Sequence, residues 1–297
     1  MKIGVSSYSF SQLVESGAMQ PLDVITKAKE MGFEAIEFAG LTPPEGVSAL
    51  EFAPVVRGAC AQAGLPIANY AATADLLCGS GGDLDAEILR VCGEVLVAEA
   101  LGAPGMRHDA GWGYPPQHPG PKSFGAALPR MTDGCRAITE FAAARGIRTM
   151  VENHGYFCQD SCRVEKLIEA VGHPNFGVLT DMGNFMCADE DPAQAVGRLA
   201  PYAFHVHAKD FHWKSGNGPD PGEGWFPTRG GNRLRGAIIG HGEVPVVQCL
   251  RLLKNAGFDG VLSLEFEGLE DPIRGITIGL ANLRRAVQDV YGDAWGG

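Results

Sequence analysis

The sequence predicts an α/β fold, a closed (β/α)8 TIM barrel. Three observations carry this reading. Eight short apolar segments alternate with eight longer segments of helical spacing, at about 30 residues per unit. A glycine closes most of the helical segments, at Gly32, Gly64, Gly102, Gly146, Gly172 and Gly257. The turn after the first strand reads Ser6-Ser7-Tyr8-Ser9, without the GxGxxG expected of an open dinucleotide-binding sheet.

In chain order, Ile3–Val5 opens as a strand. Pro21–Met31 follows as a helix, with Leu22, Ile25 and Ala28 on one face and Pro21 suited to the first turn. Strand two is Phe33–Phe38, and Ser48–Ala63 is the next helix. Strand three is Leu65–Tyr70, followed by helix Leu84–Leu101. Strand four, Ala103–His108, is short, and a helix spans Gly125–Arg145. Ile147–Asn153 is strand five, with helix Cys162–Val171. Strand six is Phe176–Asp181, with helix Pro192–Leu199. Strand seven is Tyr202–His207, with helix Val244–Ala256. Val261–Glu265 is strand eight, and Asp271–Val290 closes the chain. The whole of 1–297 reads as one barrel domain. Long loops at 111–123 and 211–242, rich in Gly, Pro and aromatic residues, follow strands four and seven. They therefore lie over the carboxyl-terminal face, where barrels build their sites.

A net charge of −11 argues against nucleic acid as a partner. No apolar run approaches a membrane span, and Met1–Phe10 enters a strand without a secretory pattern, so a cytoplasmic protein is expected. The eight cysteines show no CxxC pair. Cys158, Cys162 and Cys187 fall near predicted strand ends but are read as bystander thiols.

Four of the apolar strands end in a metal-type ligand: Glu152, Asp181, His207 and Glu265. On successive barrel strands these tips converge on the axis. Three carboxylates held there would repel, and a divalent cation removes the conflict. Three oxygen ligands and one imidazole suit Mn²⁺ first, with Mg²⁺, Co²⁺ or Zn²⁺ as alternatives. Glu267 shares the parity of Glu265 and competes for that ligand position. His205 reads as a core histidine, and Glu37 as a weak candidate. Asp210 and Lys209 are expected to orient the ligands from behind. His154, Asn184, His108 and Trp112 are candidate substrate contacts, with Asp109 beside His108. Of Arg229, Arg233 and Arg235, Arg235 is the candidate clamp for a polar substrate. Tyr8, Trp213, Trp225 and Phe226 offer faces for sugar stacking.

The ordered motifs VENHG, FGVLTDMGNF, HVHAKDF, GHGEVPV and GFDGVLSLEFEG resemble the sugar isomerase/epimerase superfamily with a xylose-isomerase-like barrel. That group includes ketose 3-epimerases, inosose dehydratases and endonuclease IV-like proteins. The resemblance implies a metal-dependent isomerase or epimerase acting on a ketose or keto-sugar through a cis-enediolate. Glu152 and Glu265 would then move the proton. Ketose 3-epimerases carry a substrate-binding His three residues after the strand-six Asp, where this chain has Asn184. A metal-dependent lyase on a keto-sugar or inosose is therefore carried as an alternative, with a non-catalytic sugar-binding barrel as a further one. The expected partner is a small sugar, and a homo-oligomer is compatible with the sequence.

Overall fold

A computed structural model describes residues 1–292; the last five residues of the predicted 1–297 domain lie outside the described residues. In chain order the strands are β1 (Lys2–Ser6), β2 (Ala35–Ala39), β3 (Ile67–Ala72), β4 (Gly105–His108), β5 (Arg148–Glu152), β6 (Phe176–Asp181) and β7 (Ala203–Ala208). They continue with β8 (Asp210–Lys214), β9 (Phe226–Pro227), β10 (Arg233–Ala237) and β11 (Val261–Leu264). Eight of them close into a parallel barrel in the order β1-β11-β7-β6-β5-β4-β3-β2. The predicted (β/α)8 fold is the observed one.

The helices are α1 (Ser11–Glu15), α2 (Asp23–Glu30), α3 (Ala49–Ala63), α4 (Leu84–Leu101), α5 (Phe124–Ala143), α6 (Ser161–Val171), α7 (Pro192–Leu199), α8 (Val246–Asn255) and α9 (Pro272–Tyr291). Local chemistry sets their ends. Ser48 and Glu51 form a capping box at the start of α3, and Gly64 ends it in the left-handed conformation. Asp83, Ser123, Asp160, Asp191 and Asp271 each accept a first-turn N–H of the following helix. Buried side chains such as Ile3, Ile36, Leu101, Met106 and Met131 fill the shell between strands and helices. Each such burial contributes about 1.5–3 kcal/mol.

Two segments differ from the sequence expectation. The exit from β1 is a tight turn over Ser7–Phe10 leading into α1, rather than an open loop. The 211–242 stretch is not structureless. It holds an antiparallel sheet in the order β8-β10-β9, with Leu234 opposite Trp213 and Arg235 opposite His212. The residues alternate in DFHWK and RLRGA as a strand requires, but the Gly- and Pro-rich stretch between them masks the pairing. Phe211 and Leu234 pack with Cys187 beneath this sheet.

Asp210 anchors the return of that stretch to the barrel. Its Oδ1 accepts the Phe211 and Val244 N–H groups at 2.9 and 3.0 Å, and Oδ2 accepts Gly240 and Gly242 at 2.8 Å each. Gly242 has to be glycine, since a Cβ there would stand 2.3 Å from Asp210 Oδ1. Asp210→Ala strands several donors at once. It should destabilise the fold by about 3 kcal/mol and lower the thermal midpoint by roughly 6–10 °C. Asp210→Asn, which keeps one acceptor oxygen, should lose about half as much. Thermal denaturation by circular dichroism checks both.

Candidate functional site

Side chains alternate between the barrel axis and the helix shell along every strand. Register therefore decides which residues meet. Asp181 lies beside His207, and Ser263 beside His207 on the other flank. Glu265 follows Ser263 by two and points the same way. Glu152 ends β5 next to β6. One layer at the carboxyl end of the barrel thus gathers Glu152, Asp181, His207 and Glu265, whose ligand atoms all lie within 4.8 Å of one another. All four are buried. Glu265, not Glu267, takes the fourth position.

His207 is held for this task by a residue the sequence ranked low. Its Nε2 sits 2.7 Å from Glu37 Oε1, so Nδ1 is turned into the group. That Nδ1 lies 3.4 Å from Glu265 Oε2, 3.6 Å from Asp181 Oδ2 and 3.8 Å from Glu152 Oε1. Burial opposes charge on this imidazole, but Glu37 and Glu265 hold its pKa well above the usual value. Glu37 Oε2 also meets His205 Nε2 at 2.8 Å, and His205 reaches Ser263 Oγ at 2.9 Å. His205 is thereby a satisfied core histidine, as expected. Burial works against the Glu37 anion, yet His207 and His205 hold its carboxyl far below the ordinary range.

The donor set fits a divalent cation on two counts. His207 Nδ1 is buried without a hydrogen-bond partner, and Asp181 Oδ2 has only the Lys209 ammonium beside it; an orphaned buried polar atom requires an explanation. The other Asp181 oxygen is committed, accepting the Gly183 and Asn184 N–H groups at 2.8 and 3.0 Å. An imidazole nitrogen and three carboxylates facing one point satisfy the preferences of Mn²⁺, Mg²⁺ or Zn²⁺.

Lys209, expected to orient the ligands from behind, lies among them and lines the cavity. Its Nζ is 2.7 Å from Glu265 Oε2, 3.1 Å from Asp181 Oδ2 and 3.5 Å from Glu267 Oε2. Burial would raise the Asp181 and Glu265 carboxyls, but Lys209 and His207 keep both below the ordinary range. Glu267 goes the other way. Its burial raises it, and Glu265 and Asp181 add to this against Lys209.

Five expected roles are corrected by position. His108 faces the helix shell, with its ring 6.1 Å from Phe176, and does not line the cavity. Period two on β4 sends Arg107 to the axis and His108 away from it. Asn184 is buried behind the ligands. Its Nδ2 donates to Glu152 Oε1 at 3.0 Å and its Oδ1 accepts from Lys209 at 3.2 Å, so it braces ligands rather than presenting to substrate. Asp210 is occupied by the loop N–H groups described above and touches no ligand. Arg235 stacks 5.5 Å from the Trp225 ring and lies outside the cavity lining. Trp112 donates its Nε1 to Ala74 O at 3.2 Å and packs edge-on against His154, 5.1 Å between centroids; it buttresses that ring instead of lining the cavity.

His154 does line the cavity, with Nδ1 3.0 Å from Asp109 Oδ1. Arg107 is the cavity residue that the sequence reading missed. Its guanidinium lies 2.5 Å from Glu152 Oε2 and 3.4 Å from Asp109 Oδ2. The signal was parity: Arg107 pairs in register with Met150, which shares the face of Glu152. Cys158 and Cys187 are buried, which pushes each thiol up to about 12, whereas Cys162 is exposed.

These groups surround a cavity of about 540 Å³. Its floor is the ligand layer with Lys209 and Arg107, and its walls include Tyr8, Tyr70, Glu94, His154 and Glu267. Among the described residues no helix is long and apolar enough to cross a membrane.

The barrel carries at its carboxyl end a layer of four buried groups that could hold a metal ion. Residues 25–286 match the family model of the xylose isomerase-like TIM barrel, and the chain belongs to that family. No curated protein matches by sequence. Solved structures agree on the fold. The probable 3-DHS dehydratase AsbF of Bacillus anthracis, 19% identical, superposes with a TM-score of 0.71, covering 95% of this chain and 99% of that one. The 3-keto-D-glucoside 4-epimerase YcjR of E. coli, 18% identical, gives 0.70 over 96% and 99%. A xylose isomerase-like protein of Mycobacterium smegmatis in complex with magnesium, 16% identical, gives 0.70 over 97% and 96%.

Arg107 is mostly buried against two carboxylates. Arg107→Met leaves both uncompensated and should cost about 3–5 kcal/mol. Arg198, exposed and paired with the half-buried Glu165, is the control: Arg198→Met should leave the unfolding midpoint unchanged. Chemical denaturation of the two variants distinguishes these outcomes.

Proposed function

We propose that the protein is a metal-dependent isomerase or epimerase of a ketose or keto-sugar. Glu152, Asp181, His207 and Glu265 would hold one divalent cation, with Mn²⁺ the first choice and Mg²⁺, Co²⁺ or Zn²⁺ as alternatives. The observation that carries the reading is the convergence of these four ligands with His207 Nδ1 unpartnered. The magnesium complex of a fold neighbour supports a cation of this type. The epimerase title of another supports proton movement beside a keto group.

When bound, the cation supplies Lewis acidity that makes the C–H next to a sugar carbonyl easier to ionise. The chain's residues then divide the work. Glu152, on β5, takes the proton through a carboxylate whose position Arg107 and Asn184 fix. Glu265, beyond β11 and braced by Lys209, returns it from a different side of the cavity. Arg107 and Lys209 present N–H donors to sugar oxygens. Tyr8 at the rim covers the reacting end from water.

A second reading, elimination from a keto-sugar, is favoured by one observation. His154 lines the cavity with Nδ1 held by Asp109, which leaves the Nε2 lone pair to take up the proton removed from carbon and pass it to a departing oxygen. The dehydratase title of a fold neighbour supports it.

Elemental mass spectrometry of the purified protein should find about one divalent ion per chain, lost in Asp181→Asn and His207→Asn. Saturating Mn²⁺ at about 100 Kd should stabilise the metal-free protein by about 2.7 kcal/mol, and chelator should reverse this. In D₂O with Mn²⁺ and a panel of keto-sugars, deuterium should enter a carbon-bound position, and Glu152→Gln and Glu265→Gln should each abolish the exchange. An unchanged product mass apart from deuterium marks epimerisation or isomerisation, and loss of water or an aglycone marks elimination. If the protein binds no metal after incubation with Mn²⁺, Co²⁺ or Mg²⁺, the metal-dependent reading falls and a non-catalytic sugar-binding barrel becomes the leading one.

A further inference from the structure

We infer that Glu94, held by Tyr70 at the outer end of the cavity, binds a hydrogen-bond donor of the substrate, a hydroxyl or an ammonium group placed away from the reacting carbons. The inference rests on the sugar-directed reading above and adds a specificity-determining residue to it.

The cavity over the ligand layer is not confined to the barrel axis. Its lining includes Ala71 and Thr73 at the carboxyl end of β3, Ala49 at the start of α3 and Glu94 on α4. Alternation along β3 turns Asn69 and Ala71 toward the axis and Tyr70 toward the helices. Tyr70 lines the cavity all the same, so this one space passes over the end of β3 and reaches the gap between that strand and α4. Ala49, Ala71 and Ala72 bring only methyl groups to that stretch, which leaves it open.

At the outer end the side chains are held in place and one acceptor is left over. Tyr70 is buried, and its Oη donates to Glu94 Oε2 at 2.7 Å. Glu94 Oε1 accepts no hydrogen bond among the described residues; Arg90 Nη1 stands 3.8 Å from it, beyond hydrogen-bond reach. Arg90 is committed elsewhere. Its Nε donates to Glu87 at 3.0 Å, and its Nη2 donates to Glu87 and to the Thr73 carbonyl at 2.7 Å each. Only 28% of the Glu94 side chain is exposed, so water screens its charge in part. The Tyr70 proton is spent on Glu94, so both groups offer only lone pairs to a ligand. Satisfying Tyr70 takes one carboxylate oxygen. The other is surplus to the fold and faces a cavity of about 540 Å³, within the range of ligand sites. The axial end has the opposite character, since Arg107 and Lys209 bring N–H donors there. A substrate with acceptors near the axis and a donor farther out matches both ends.

The test uses the full chain with Mn²⁺ and three glucosides that differ only in a terminal group: propyl, 2-hydroxyethyl and 2-aminoethyl β-D-glucoside. By calorimetry the aminoethyl glucoside should bind about tenfold more tightly than the propyl one, because its partner is a carboxylate. In Glu94→Gln the amide oxygen takes over the Tyr70 hydrogen bond and the amide N–H faces the ligand. The preference should then vanish with thermal stability unchanged, whereas a purely structural Glu94 predicts no change in preference. Ala49→Phe fills the outer end from α3 and should remove the preference too; it decides the matter if Glu94→Gln does not fold. A hydroxyethyl affinity equal to the aminoethyl one identifies a hydroxyl as the donor, and a gain for the amine alone identifies an ammonium group. Affinities within about twofold for all three in the wild type would overturn the inference, as would a preference that survives Glu94→Gln. If no glucoside binds, the sugar-directed reading fails, and the ¹⁹F signal of 4-fluorobenzylamine decides the outer end separately. Broadening by the wild type but not by Glu94→Gln upholds Glu94 as the donor site, and equal signals with the two proteins overturn it.

Discussion

Three carboxylates and an imidazole packed into one buried layer can coexist only if positive charge stands among them. This constraint organises the carboxyl end of the barrel. Like charges at such distances in a poorly solvated interior raise one another's pKa and work against folding. Two cationic side chains answer part of that demand. Arg107 pairs with Glu152 and Asp109, and Lys209 spans Asp181 and Glu265. What they leave unmet is specific: His207 Nδ1 lacks a hydrogen-bond partner, and Asp181 Oδ2 has only the Lys209 ammonium beside it. The unmet demand therefore lies at one point, in the form a metal ion satisfies.

Glu37 converts this charge arrangement into geometry. An imidazole at the end of a strand can rotate, and either nitrogen could face the axis. By accepting from Nε2, Glu37 fixes both the tautomer and the direction of Nδ1. The same carboxylate meets His205 one layer below, so β2 ties two turns of β7 to a single group. The site depends on the strand opposite it as much as on those that bear the ligands.

Much of this was legible in the sequence. The four ligands stood at the ends of apolar strands, and alternation alone placed them on one axis. What could not be read came from register and from competition for partners. On β4, an imidazole drew attention to His108, whereas pleating sends Arg107 inward. Glu37 stood near the end of FEAIEF, and nothing local shows that two histidines about 170 residues away converge on it. Asn184 and Asp210 looked available because their partners are a side chain and backbone N–H groups brought close only by the closed barrel. Sequence spacing reports which face a residue is on; it does not report which of its hydrogen bonds are already made.

The cavity is also asymmetric, and the asymmetry follows from how the long segments are tied down. The β8-β10-β9 sheet is fastened over the β5 and β6 ends. Arg229 bonds Asp160 at 2.9 Å and the Tyr156 carbonyl, Tyr156 Oη donates to Pro227 O at 2.7 Å, and Asn232 donates to Asp189 at 2.8 Å. With that side latched, the lining extends the other way, across Ala39, Gly40 and Leu41 toward Tyr70 and Glu94. Nothing in the chemistry of the ligand layer requires that direction. It comes from small residues at the end of β2 and from a closed sheet on the far side. The cavity therefore opens from the barrel axis across the β1–β3 rim, and the loops after β1 and β2 shape that side of it.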